Sequence, residues 1–258
     1  MQTISLSSPA THIREIRLNR PKSLNAVDDT VIAELTSALE ETARDGSVRV
    51  VILSGEGRAF CAGADYKRHA TRPASDRPAY LKALLGMSHA IYLHPKPVIA
   101  AVHGFTVGVG AEMMVNCDFI LAAADTQIQF PEIAIGTFLG GAVTNLLPRV
   151  VGLTKAREML MMCTRVSGSE AVAIGLANKC FPVASFRDDV LTFAKALAEK
   201  APIPIGLAKK SFNAAIHENY DASFEFEHQA VLTCMQSGDW HEGVRAFAEK
   251  RTPVFKGS

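Results

Sequence analysis

The chain carries no excess of charge: Lys+Arg 27 against Asp+Glu 26 leave a net +1. A polyanionic partner such as nucleic acid is therefore not implied, apart from what a local basic patch would do. Its five cysteines, Cys61, Cys117, Cys163, Cys180 and Cys234, are scattered and include no C-x-x-C pair. That pattern fits a reducing compartment and argues against a disulfide framework or a structural zinc site. No apolar run approaches the length of a membrane span. The opening "MQTISLSSPATHIREIRLNRP" has no basic segment leading into an apolar one, so no secretory signal is expected in it. The expectation is a soluble cytoplasmic protein without a membrane or nucleic-acid partner.

What the chain does have is ordinary globular chemistry, with 48% hydrophobic and 21% charged residues over 258 positions. That length can bury a large core. The pattern predicts strands at 13–19, 48–55, 96–104 and 118–125, the middle two as near-continuous apolar runs covered on both faces. Helical spacing runs through 28–45, opened by aspartates and stopped at Gly46, and through "RPAYLKALLGMSHAIYLH". Strands thus alternate with helices to about residue 185, which argues α/β, and alternation alone suggests a doubly wound sheet. Beyond 186 four helical stretches follow: "FRDDVLTFAKALAEKA", "IGLAKKSFNAAIHENY", "SFEFEHQAVLTCMQS" and "WHEGVRAFAEKR". No sequence repeat is visible. The polar, proline-containing segment 66–79 reads as a mobile loop.

The segment "GFTVGVGAEMMVNCD" (104–118) raises the chemical question. As a dinucleotide fingerprint it fails at the third glycine, where Met113 stands, and no Lys-Ser/Thr pair follows to make a P-loop. Packing is one explanation for the glycines, with Glu112 complementing a helix dipole. The sharper one is a turn that presents backbone N–H groups to an oxyanion, with a carboxylate just behind. Two other segments bear on the choice. "GRAFCAGADYK" (57–67) follows a strand, and "FPEIAIGTFLGG" (130–141) sets Glu132 among apolar residues.

These segments, with "LNRPKSLNA" (18–26), "KPVIAAVHGFTVGVGAEMMVNCDF" (96–119) and "EGVRAFAEKRTPVFKG" (242–257), resemble the crotonase, or enoyl-CoA hydratase/isomerase, superfamily nearly end to end. The resemblance implies a crotonase-like spiral of β-β-α turns over residues 1–200. It also implies a C-terminal helical trimerisation region over 201–258, giving a homotrimer or a hexamer built as a dimer of trimers. It implies a thioester enolate held by the backbone N–H groups of Ala64 and Val109. Glu112 is then expected to activate water, Glu132 to deliver a proton to C2, and the Gly140 amide to help hold the water. Lys22, Ala62, Ala64, Asp65, Tyr66, Lys67 and Gly108 are expected near coenzyme A or the thioester, with Phe247 and Lys250 reaching in from a neighbouring subunit. Each lysine reads equally well as a solvated surface charge. Neither a cofactor nor a metal is implied; coenzyme A is part of the substrate.

The chain departs from the commonest members in three places. Val109 replaces a frequent glycine, Leu139 a frequent proline, and Ala142-Val143 frequent glycines. If position 109 requires positive φ, valine would be strained there, and its side chain would narrow the acyl channel. His103 and Cys61 read as core residues, and Met113 and Met114 as core or channel-lining ones. Retention of both glutamates favours hydration of a trans-2-enoyl-CoA. Double-bond isomerisation, thioester hydrolysis and carbon–carbon cleavage are the rivals, with a non-enzymatic interaction protein on the same scaffold the remaining alternative.

Overall fold

The computed structural model describes residues 1–215 and 220–258. An antiparallel hairpin, β1 (Ile4–Ala10) and β2 (Ile13–Leu18), leads into α1 (Asp29–Arg44). Asp28 caps this helix by accepting from the Thr30 and Val31 N–H groups at 3.1 and 3.0 Å. Then come β3 (Val50–Gly55), β4 (Ala59–Cys61), α2 (Tyr66–Ala70) and α3 (Arg77–Tyr92). The next unit is β5 (Val98–Val102), β6 (Phe105–Val107) and α4 (Val109–Val115). A third follows as β7 (Phe119–Ala123), β8 (Gln127–Gln129) and α5 (Val143–Val151). The chain continues through α6 (Leu153–Met161), β9 (Val166–Ser167), α7 (Gly168–Ala173) and β10 (Lys179–Phe181). Four helices complete it: α8 (Phe186–Ala198), α9 (Pro202–Ala215), α10 (Tyr220–Met235) and α11 (Gly238–Glu249).

The pairing departs from a doubly wound sheet. One sheet has the order β1-β2-β3-β5-β7-β10, and a second, smaller one has β4-β6-β8-β9. In each of three successive units the chain adds one strand to the large sheet, crosses, adds one to the small sheet, and then turns into helix. This is a structural repeat without a sequence repeat. The small sheet escapes notice in the sequence because β4, β6 and β8 are three residues each, too short for a period-2 pattern to register.

Both faces of the large sheet are covered, which explains the apolar runs. In β3, Val51 and Leu53 point into the main core while Val50 and Ile52 point to the other face. Val98, Ala100 and Val102 of β5 share the main core, and Ile99 and Ala101 the opposite one. The register aligns Val51 with Val98 and Leu53 with Ala100, so like-facing side chains meet across the ladder. Helix α8 closes the outer face with Phe186, Val190 and Ala194.

Segment 66–79, expected as a loop, is instead the short helix α2, a single 3-10 turn at 74–76, and the start of α3. Arg72 orders it. The guanidinium pairs with Asp29 at 2.6 Å and lies over the Tyr80 ring at 4.0 Å. The helix expected over 205–220 covers 202–215; its last residues, 216–219, lie outside the described residues. Helix α9 is tied to the core by Lys209, whose ammonium meets Asp118 at 2.7 Å.

Candidate active site

The glycine segment makes a close approach between two strand ends. Gly110 lies on α4 where an added Cβ would sit 2.3 Å from the Cys61 carbonyl oxygen, so only glycine lets α4 press against β4. Gly108 takes φ +54, and a Cβ there would fall 2.9 Å from Oε1 of Glu132. The left-handed turn therefore belongs to Gly108. Val109 begins the helix, is not among the positive-φ residues, and carries no such strain.

This geometry frees two backbone donors. The Gly108 N–H is spent on Gln129 O at 3.0 Å, whereas the Val109 N–H heads α4 with no acceptor among the described residues. Across from it, Val27 donates to Gly63 O and Asp65 donates to Val27 O, each at 2.8 Å. Ala62 donates to Leu24 O at 3.0 Å, and the Ala64 N–H is passed over, again with no acceptor among the described residues. The two segments touch: a Cβ on Gly63 would lie 3.9 Å from Gly108 Cα.

Behind these donors stand two carboxylates. Glu112, one turn along α4, is 3% exposed and accepts the Gly140 N–H on Oε1 at 2.7 Å. Burial pushes its pKa up, and the Gly140 N–H opposes that. Glu132 follows β8, is 4% exposed, and its Oε2 is buried without a hydrogen-bond partner among the described residues. Burial first, with the negative charge of Glu112 adding to it, lifts Glu132 to about 7. Near neutral pH Glu132 thus holds its proton part of the time, beside a second carboxyl whose ionised form the Gly140 N–H favours. Tyr66, half-exposed at the head of α2, has its phenol pKa raised by burial and then by Glu132 and Glu112. That places it in the field of both carboxylates.

Other expected site residues sit differently. The Gly140 N–H, expected to hold water, is engaged by Glu112, so Gly140 orients that carboxylate. The Asp65 carboxylate faces Arg20 at 3.2 Å rather than open solvent, because Arg20 bridges Asp65 and Asp28 and ties α2 to α1. Val109 is 8% exposed and packs in the main core, which leaves little of its side chain to narrow a channel. Lys22, on a 3-10 turn, and Lys67 and Lys250 are exposed and form no ion pair among the described residues. Phe247 is 88% exposed on α11. Leu139 packs partly buried against the core, and Ala142 takes left-handed backbone at φ 56. Cys61 is buried, its thiol pushed up to about 12, as suits a core residue. His103 is half-buried, with Nε2 2.9 Å from the Gly57 carbonyl oxygen. Among the described residues no three His, Cys, Asp or Glu side chains group as metal ligands.

Two supporting residues were not evident in the sequence. Asn116 donates its amide to Glu112 O at 2.8 Å and Gly141 O at 2.7 Å, fastening the Gly140–Gly141 turn to α4. Leu85 reaches the same turn from α3, its Cδ2 standing 2.8 Å from where a Gly140 Cβ would be. Neither gives a sequence signal, since their contacts with the Gly140–Gly141 turn join segments far apart along the chain.

Two backbone amides without acceptors among the described residues, near two buried carboxylates, suit the class of catalyst that stabilises an oxyanion. Comparison with known proteins places the chain within that class. The sequence model of the enoyl-CoA hydratase/isomerase family matches residues 9–258. The chain is 35% identical to the probable mitochondrial enoyl-CoA hydratase of Dictyostelium discoideum, over 93% of this chain and 86% of that one. It is 36% identical to the mitochondrial enoyl-CoA hydratase of Pongo abelii, over 93% and 82%. The crystal structure of an enoyl-CoA hydratase from Bacillus anthracis superposes with a TM-score of 0.96 at 32% identity, covering 100% of both chains. The chain belongs to the enoyl-CoA hydratase/isomerase, or crotonase, family.

Proposed function

We propose that the protein is an enoyl-CoA hydratase that adds water reversibly to a trans-2-enoyl-CoA to give a 3-hydroxyacyl-CoA. The observation that carries this reading is the retained pair Glu112 and Glu132, buried together beside the unpaired N–H groups of Ala64 and Val109. The thioester oxygen accepts from both amides, so charge developing on it meets preorganised donors. Glu112, ionised and oriented by Gly140, removes a proton from water as the water oxygen bonds to C3. The electron pair of the C2–C3 double bond moves onto the thioester as an enolate. Glu132, protonated near neutral pH, then gives its proton to C2. Product release and proton exchange return Glu112 to its anion and Glu132 to its acid. Every step is carried by protein groups and by the substrate's own thioester.

Ala62, Tyr66, Lys67 and Lys22 are assigned to the coenzyme A side of the site. Phe247 and Lys250 are assigned to a neighbour's nucleotide end within a homotrimer or a pair of trimers. The exposure of Phe247 and of Trp240 and Val244 on the same helix supports an assembly role for 201–258. No helix among the described residues is long and apolar enough to cross a membrane; cytoplasmic residence is part of the same proposal. The test is a panel of trans-2-enoyl-CoA thioesters followed by loss of enoyl absorbance. Saturable loss with formation of 3-hydroxyacyl-CoA is expected. Double-bond migration without water addition would give the isomerase reading instead.

A further inference from the structure

The site continues beyond the carboxylates. Leu85 stands at the Gly140 turn, where a Cβ on Gly140 would also lie 2.9 Å from Glu112 Oε2. From Leu85, His89 and Tyr92 follow at helical spacing on one face of α3. With α5 opposite, they enclose a cavity of about 430 Å3 lined by Leu85, His89, Tyr92, Asn116, Asn145 and Leu146. Gly141 and Ala142, next to the Gly140 turn that Glu112 holds, complete its lining. A Cβ on Gly141 would lie 3.1 Å from both Glu112 Cβ and Asn116 Nδ2, so the cavity borders the residue that carries the carboxylate.

The lining is apolar at Leu85 and Leu146 and polar at His89, Tyr92, Asn116 and Asn145. The remaining capacity of these polar groups follows from their bonds. Asn145 Oδ1 accepts from Arg149, so Asn145 offers its NH2 group. The Asn116 NH2 group is spent on Glu112 O and Gly141 O, so Asn116 offers Oδ1. The Tyr92 hydroxyl donates to Asn213 O at 3.3 Å, which leaves its oxygen as an acceptor. The cavity therefore presents donors and acceptors together, and among the described residues that line it there is no carboxylate. An alkyl terminus would displace water from these groups and replace none of its hydrogen bonds. A carboxylate would satisfy the donors but face two acceptor oxygens. A hydroxyl, which both donates and accepts, matches the set.

We propose that this cavity receives the distal part of the acyl chain and selects a medium-length acyl group hydroxylated at or near its far end over plain alkyl. The proposal rests on the hydratase reading only for which thioester arrives, so its test is binding rather than turnover. Octanoyl-CoA, ω-hydroxyoctanoyl-CoA and the ω-carboxy analogue would be titrated calorimetrically into the intact protein. The hydroxylated thioester should bind about 5-fold or more tighter than the plain one, as one net hydrogen bond allows. His89→Leu and Asn145→Leu should each remove that preference. Asn145→Asp, which keeps an acceptor for Arg149 and so guards against a folding defect but withdraws the NH2 donor, should lower the preference for hydroxyl as the leucine variant does and weaken the carboxylate further. Equal affinities in the unmodified protein, or a preference that survives both leucine variants, would overturn the proposal. Crotonyl-CoA hydration, measured alongside, reports on the reaction separately. Its absence with the hydroxyl preference intact would fault the hydratase reading alone, and the converse would fault the cavity alone.

Discussion

At the scale of single residues, the chemistry depends on two buried carboxylates with separate roles. Glu112→Gln should lower kcat/KM for hydration at least ~10²-fold, with much smaller change in thioester affinity, because the oxyanion donors are backbone groups. Comparing steady-state kinetics with calorimetric binding checks both halves. Glu132 also sets a slope in stability. Its folded pKa of about 7 lies above its ordinary 4.5, so the native state holds a proton that the unfolded chain releases. Its contribution is therefore present below 4.5 and lost as pH rises through about 7. Denaturant titrations of Glu132→Gln should show a flatter stability profile across that window than the unmodified chain. An identical slope in both would remove burial as the cause of the shift. Val109→Gly keeps the amide but deletes a largely core-packed side chain, so a loss of roughly 1–3 kcal/mol in unfolding free energy is expected, with catalysis retained. Wholesale loss of turnover in a folded variant would show that the valine side chain positions the amide.

Among elements, the contact between α4 and β4 matters most, because it brings the two free amides together. Gly110→Ala would place a carbon 2.3 Å from the Cys61 carbonyl, a contact that backbone must move to relieve. It should cost about 1–3 kcal/mol of stability and most of the activity, although alanine suits a helix better than glycine. Unchanged melting and kinetics would mean that α4 can shift without disturbing the site. This dependence was only partly legible in the sequence. The apolar runs of β3 and β5, the Asp28 cap and the helical spacing of α1 and α3 are local signals, and they gave the alternation and its approximate boundaries. The smaller sheet was not legible from pattern because its strands are two or three residues long; the spiral came from resemblance. Glu112 and Glu132 were named by motif, yet the use of the Gly140 N–H by Glu112 was not, because that bond crosses 28 positions. Nor could spacing reveal that Arg20 claims Asp65, or that Arg72 orders the segment read as a loop.

For the whole molecule, one link between the C-terminal helices and the core is a part-buried ion pair. Lys209 donates to Asp118 at 2.7 Å, and Asp118 also accepts the Val98 N–H at 2.7 Å, so one carboxylate joins α9 to the start of β5. Lys209→Met would leave the part-buried Asp118 carboxylate without its cation, and a loss of about 1–3 kcal/mol is expected by denaturant unfolding. Adding Asp118→Asn should recover part of that loss; a strictly additive pair would mean the two groups do not interact. The catalytic proposal itself is tested most directly by the pH dependence of kcat/KM for crotonyl-CoA in the unmodified protein and in Glu132→Gln. The unmodified protein should lose activity as pH rises above about 7, where Glu132 gives up its proton, and the variant should be at least ~10²-fold slower and lack that alkaline limb. Near-normal hydration by Glu132→Gln, with the limb intact, would contradict the two-carboxylate mechanism.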